Sequence, residues 1–142
     1  MAITRRIFVS SPRDKHLDIR HREIKEAVVD EIVESGYEVR MFGYKPGRRG
    51  VLTNTWSPKE ADEVMRTCVG AAILGLPIWN FQTGNQTGAA SEYCHYEGAL
   101  ARAYNLPILA LLGEGVEERG FFAPYGGNLP HFRTTTGGPY VG

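Results

Sequence analysis

The chain has 142 residues, 42% of them apolar, enough to bury one core but too few to build two. Its 16 Lys and Arg balance 16 Asp and Glu, which removes the electrostatic case for nucleic acid or an anionic membrane surface. No apolar run approaches the length of a bilayer span, and the N-terminal Met1-Ala2-Ile3-Thr4-Arg5-Arg6 lacks the apolar stretch of a signal peptide. The cysteines, Cys68 and Cys94, lack metal-ligand spacing, so a reduced, metal-free cytoplasmic protein is expected.

Strand and helix alternate from the start. Arg6-Ile7-Phe8-Val9-Ser10 reads as a short apolar strand that breaks at Ser11-Pro12. Ile24, Val28, Ile32 and Ser35 then recur at helical spacing, widened by Ala27 and Val33. Arg22, Glu23, Lys25, Glu26, Asp30 and Glu31 form the expected water-facing side. Gly36 ends this helix, and Tyr37 to Phe42 reads as the second strand. A glycine- and arginine-rich loop occupies Gly43 to Trp56.

Ser57-Pro58-Lys59-Glu60 supplies an N-cap serine, a proline at the first helical position and a glutamate three residues after the cap, which starts a second helix running to about Val69. Ala71 to Ile78 and Pro107 to Leu112 are continuously apolar, as strands covered on both faces should be. Between them lie a polar loop from Trp79 to Ala90 and a third helix from about Ala89 to Asn105. A helical turn is expected within Glu114 to Phe122 and a fifth, edge strand within Phe132 to Thr136. Repeated β-α-β order with right-handed crossovers leads to a flavodoxin-like three-layer α/β fold with a parallel sheet of four to five strands. One domain spans residues 1–142, with 113–142 less regular. Two accounts of that tail stay open: a sensor or effector module follows residue 142, or the segment packs as an extended arm.

The third helix carries the most informative run, Ser91-Glu92-Tyr93-Cys94-His95-Tyr96-Glu97-Gly98. It puts the Glu97 carboxylate on the first turns of a helix at the mouth of the sheet, where ligands of open α/β folds bind. This Ser-x-aromatic-Cys-x-x-Glu pattern resembles the catalytic-helix motif of TIR domains, with Tyr93 where Trp is commoner. Arg6 to Asp14, an apolar strand running into Ser10-Ser11 and a charged pair, is similar to the first-strand box of that family, in its divergent bacterial branch. The loop Gly43 to Gly50 stands where TIR domains have a mobile loop that governs access and self-association. The resemblance covers about residues 5 to 112.

It implies cleavage of the nicotinamide–ribose bond of NAD, with Glu97 as the catalytic residue and NAD as substrate rather than cofactor. It also implies self-association and a role in antiphage defence or NAD-derived signalling. The product, ADP-ribose or a cyclic isomer, is not fixed by residue types. The chemistry itself asks for little: nicotinamide leaves as a neutral molecule, so no general acid is needed, and one fixed carboxylate can offset charge on the ribosyl oxocarbenium ion.

Other residues are placed with less chemistry behind them. Ser10, Ser11 and Arg13 lie at the carboxyl end of the first strand and suit substrate binding, as does Tyr93. Trp56 and Trp79 lie at strand ends, where each could stack on a base or plug the core margin. Arg48, beside Arg49, could meet a pyrophosphate or a neighbouring subunit. Glu92 is assigned to structure, because the first turn gives it a dipole role. Cys94, Gly98 and Ala101 recur at helical spacing as small residues for close packing on the sheet rather than a thiol nucleophile, and Cys94 is not expected to pair with His95, since adjacent helical residues do not face each other. No Gly-x-Gly-x-x-Gly or Walker-type loop is present. Two alternatives remain: a non-catalytic TIR-type scaffold, and a nucleoside 2-deoxyribosyltransferase-like enzyme using the Glu97 to Ala101 run.

Overall fold

The computed structural model describes residues 5–42, 51–52, 56–77, 79–83, 86–89, 92–113, 115–116, 120–122, 131–135 and 138–141. For residues 51–52, 79–83, 86–89, 92, 131–135 and 138–141 it describes the backbone alone.

The described residues form strands β1 (Arg6–Ser10), β2 (Glu38–Phe42), β3 (Val51–Leu52), β4 (Gly70–Gly75), β5 (Trp79–Thr83), β6 (Gln86–Ala89), β7 (Ile108–Leu112), β8 (His131–Thr135) and β9 (Gly138–Val141), with helices α1 (Ile19–Glu34) between β1 and β2, α2 (Pro58–Met65) between β3 and β4, and α3 (Glu92–Ala103) between β6 and β7. The main sheet has the order β3-β2-β1-β4-β7-β8-β9. Its pairs are parallel from β3 through β8, and only β9 runs antiparallel, against β8. The run β2-β1-β4-β7-β8 is the doubly wound, flavodoxin-like order. The expected fifth strand is therefore present but is covered at its outer edge by β9, and the polar stretch after Trp79 forms the antiparallel hairpin β5-β6 instead of an open loop. Thr, Gln and aromatic residues suit a strand as well as a loop there, and alternation is too short to decide between them.

Two cores explain the three layers. Phe8, Ala71, Ile73, Ala110 and Leu112 pack with Met65, Cys94 and Ala101 on the face covered by α2 and α3. Val9, Ala72, Leu74 and Leu111 pack with Leu17, Val29 and Met41 beneath α1. The alternation of neighbours such as Phe8 and Val9 between the two clusters is the period-two pleat of strands buried on both sides. The chain proceeds outward from β1 to β2 and on to β3, and then returns from β3 past β2 and β1 to β4. That reversal puts α1 and α2 on opposite faces and creates a switch point between β1 and β4.

Helix ends follow local chemistry. The Ser57 side chain accepts the Glu60 N–H at 3.1 Å with Pro58 at the first turn, as expected. Asp18 accepts the His21 N–H at 2.8 Å and starts α1, and Gly36 leaves that helix at φ +92°. Helix α2 stops at Met65, four residues short of the expected end, and leaves Cys68 just beyond it.

One charged position departs from the expected water-facing side of α1. Lys25 is 5% exposed, because its Nζ donates to Asp14 Oδ1 at 2.8 Å and to the Pro12 carbonyl at 3.0 Å. The ammonium thus finds partners in the segment leaving β1, and its stem continues the Val29 side of the helix.

Candidate functional site

Strand β1 ends at the switch point, and its last residue faces α3. Ser10 is 1% exposed, and its Oγ donates to Glu97 Oε1 at 2.6 Å. From the segment before α2, Trp56 Nε1 donates to Glu97 Oε2 at 3.1 Å. Both oxygens of one carboxylate are therefore held by donors from different parts of the fold, which fixes its plane and direction. Glu97 itself is 5% exposed yet lines a cavity of about 310 Å³ together with Val9, Ser11, Phe42, Trp56 and Tyr93. The Trp56 ring is held edge-on by Tyr93, with centroids 4.7 Å apart, and by Tyr96 at 5.6 Å.

Burial decides the protonation of Glu97. Loss of water around the carboxyl pushes its pKa up to about 7 from 4.5, while the hydrogen bonds from Ser10 and Trp56 pull in the opposite direction without offsetting the desolvation. A buried carboxyl whose pKa is raised by desolvation and which lines a cavity is a candidate for a functional role.

The back of α3 is locked in place. Gly98 lies under Phe121, so close that a Cβ there would come within 2.6 Å of the ring. The Phe121 N–H donates to His95 Nδ1 at 3.1 Å, and Gly120, at φ +58°, lets the 3-10 turn Gly120–Phe122 press against that imidazole. Cys94 Sγ donates to the Leu74 carbonyl at 3.3 Å and lies 3.5 Å from Ser10 Oγ. The described contacts of Cys94 and His95 thus lie in different surroundings. Gly98 makes its close contact with the 3-10 turn rather than with the sheet.

No protein-family model matches the chain, and no curated protein matches it. Among solved structures, the TIR domains of the activated Roq1 resistosome directly recognizing the pathogen effector XopQ align with a TM-score of 0.46 at 14% identity. The alignment covers 78% of this chain and 58% of that one, so this chain spans less than two thirds of its length. At that identity and TM-score the likeness carries nothing about the site, whose case rests on geometry.

Of the residues singled out from sequence, Ser10, Ser11, Arg13, Trp56, Tyr93 and Glu97 converge on this one cavity or its wall. Trp79 lies in β5, with its side chain outside the described residues, as is that of Glu92. Arg48, Arg49 and the loop from Gly43 to Gly50 also lie outside them. Sequence reading missed Lys15, His16 and Phe42 at the cavity. The signal for the first two was available: they follow Arg13 in the segment that leaves β1. It also missed that Trp56 presents its N–H to the carboxylate. Among the described residues no group of three His, Cys, Asp or Glu could hold a metal ion, and no helix is long and apolar enough to cross a membrane.

Proposed function

We propose that the cavity takes the nicotinamide–ribose end of NAD and that Glu97 serves cleavage of its N-glycosidic bond. The observation that carries this reading is a single buried carboxylate, held on both oxygens, at the wall of a cavity beside the switch point. The Ser91 to Glu97 run, with its resemblance to the TIR catalytic helix, supports the same substrate.

In the proposed reaction the bond between the anomeric carbon and the pyridinium nitrogen breaks, and its electron pair leaves with nicotinamide. The positive charge passes from the ring to the ribose as an oxocarbenium ion. Water then adds at the anomeric carbon and loses a proton, giving ADP-ribose, or a nucleophile of the same molecule adds and gives a cyclic isomer. A pyridinium approaching Glu97 favours the ionised carboxylate, so bound substrate draws the group into the form the reaction needs. Ser10 and Trp56 keep that carboxylate aimed while charge develops, which is the preorganised arrangement that lowers such barriers. The aromatic wall of Trp56 and Tyr93 suits a flat apolar leaving group.

On this reading the protein would act in antiphage defence or NAD-derived signalling, with self-association completing or gating the pocket. Specific activity that falls on dilution would support the assembly part. The experiment for the reaction is incubation of the chain with NAD and, separately, with deoxynucleosides, followed by chromatography of the released base. Nicotinamide release from NAD is expected. Base release from deoxynucleosides alone would transfer the site to deoxyribosyl chemistry, and self-association with NAD left intact would make the domain a scaffold.

A further inference from the structure

The geometry points to an anion subsite in the same cavity, formed by Arg13, Lys15 and His16, that takes a phosphate or pyrophosphate group of the ligand. It rests on the glycosidic reading for the rest of that ligand, and it narrows the substrate class to phosphorylated N-glycosides, nucleotides rather than nucleosides.

Three observations converge. Arg13, Lys15 and His16 all line the cavity that Glu97 lines, and Glu97 is the one carboxylate among its described lining residues. The acid within the same stretch, Asp14, is turned inward: it is 8% exposed, and its Oδ1 accepts from Lys25 Nζ at 2.8 Å. Its charge is thereby spent on a buried partner, and the cavity side of the segment carries an excess of positive charge. The segment is also preformed. Lys25 holds the Pro12 carbonyl at 3.0 Å, the His16 N–H donates to the Arg13 carbonyl at 2.9 Å, and the Leu17 N–H donates to the Asp14 carbonyl at 3.0 Å, closing the 3-10 turn Asp14–His16. Little backbone ordering remains to be done on binding.

The donor set fits phosphate chemistry. A guanidinium offers a planar fork, an ammonium offers a compact charge, and an imidazole offers a ring N–H in either protonation state. One cavity then divides the work, with the carboxylate for the developing cation and the basic stretch for an anion carried by the same ligand. A deoxynucleoside has nothing to place in the second part.

The test is calorimetric titration of the full chain with inorganic pyrophosphate, alongside nicotinamide release from NAD and from nicotinamide riboside. Pyrophosphate should bind, more weakly as salt is raised, and Arg13→Gln and Lys15→Gln should each weaken it roughly tenfold. Arg102→Gln, at the far end of α3, should leave binding unchanged. Pyrophosphate should also inhibit release from NAD competitively, and nicotinamide riboside should be the poorer substrate. Wild-type protein that fails to bind pyrophosphate, or binding equally strong in Lys15→Gln, Arg13→Gln and Arg102→Gln, overturns the subsite. The two readings fail separately. Pyrophosphate binding that follows this pattern without any nicotinamide release retains the subsite and removes the glycosidic reaction. Equal cleavage of NAD and the riboside, indifferent to pyrophosphate, retains the reaction and removes the subsite.

Discussion

Replacing Glu97 by Gln should stabilise the domain at alkaline pH while removing its proposed activity. In the folded chain the carboxyl titrates at about 7 instead of 4.5 because burial penalises its charged form. Below pH 4.5 both folded and unfolded chains hold the proton, and the group costs nothing. As pH rises to about 7 the unfolded chain ionises first and stability falls; above that the cost is constant. At about 1.4 kcal/mol per pH unit, the full cost over that interval is at most roughly 3–4 kcal/mol. A glutamine carries no such penalty, and it can be satisfied in place: its carbonyl accepts from Trp56 Nε1, which can only donate, and its amide donates to Ser10 Oγ, which can also accept. For a chain of this length, that free energy corresponds to a melting-temperature gain of roughly 10 °C. Thermal melts of both proteins from pH 4 to 8.5 should show curves that coincide in acid and diverge through neutrality. An offset that is the same at every pH, or a variant less stable than wild type at pH 8, would refute the reasoning.

The proposed reaction needs the carboxylate, so kcat/KM for nicotinamide release should rise with pH through about 7. Trp56→Phe removes the N–H donated to Oε2 and should move that rising limb to higher pH; an unmoved limb would reduce Trp56 to packing. Asp14→Asn leaves the buried Lys25 charge without its counter-ion and should cost about 3 kcal/mol in urea unfolding, with Asp14→Leu combined with Lys25→Met recovering much of it; strictly additive losses would argue that the pair does not act as a unit. Gly98→Ala should destabilise despite the roughly 1 kcal/mol that alanine gains in a helix, because its Cβ meets the Phe121 ring, and adding Phe121→Ala should relieve that clash. A stabilised Gly98→Ala single variant would mean that the 3-10 turn yields freely.

The order of strands and helices was legible because strands buried on both faces and an amphipathic α1 leave opposite periods in the sequence. The run Ala71-Ala72-Ile73-Leu74 could only be a covered strand, and Ser57-Pro58 fixed the start of α2. The hairpin after Trp79 and the strand beyond β8 were not legible, since their polar and glycine-rich residues carry no period. Glu97 could be singled out from a short motif, and Ser10 from its place at the end of β1. The indole N–H of Trp56 could not be foreseen as a donor to Glu97, because the contact joins residues 41 positions apart. Lys25 was misplaced for a related reason: helical spacing shows which side a residue is on, but a partner such as Asp14 on another segment decides whether a charge there is buried.

The most direct measurement is quantified nicotinamide release from NAD by the wild-type chain, Glu97→Gln and Glu92→Gln, with the fold of each checked by circular dichroism. The account predicts release by wild type, little change in Glu92→Gln and a loss of roughly 10²–10³ in rate in a folded Glu97→Gln. It is contradicted if wild type leaves NAD intact at high protein concentration, or if the two variants lose activity alike.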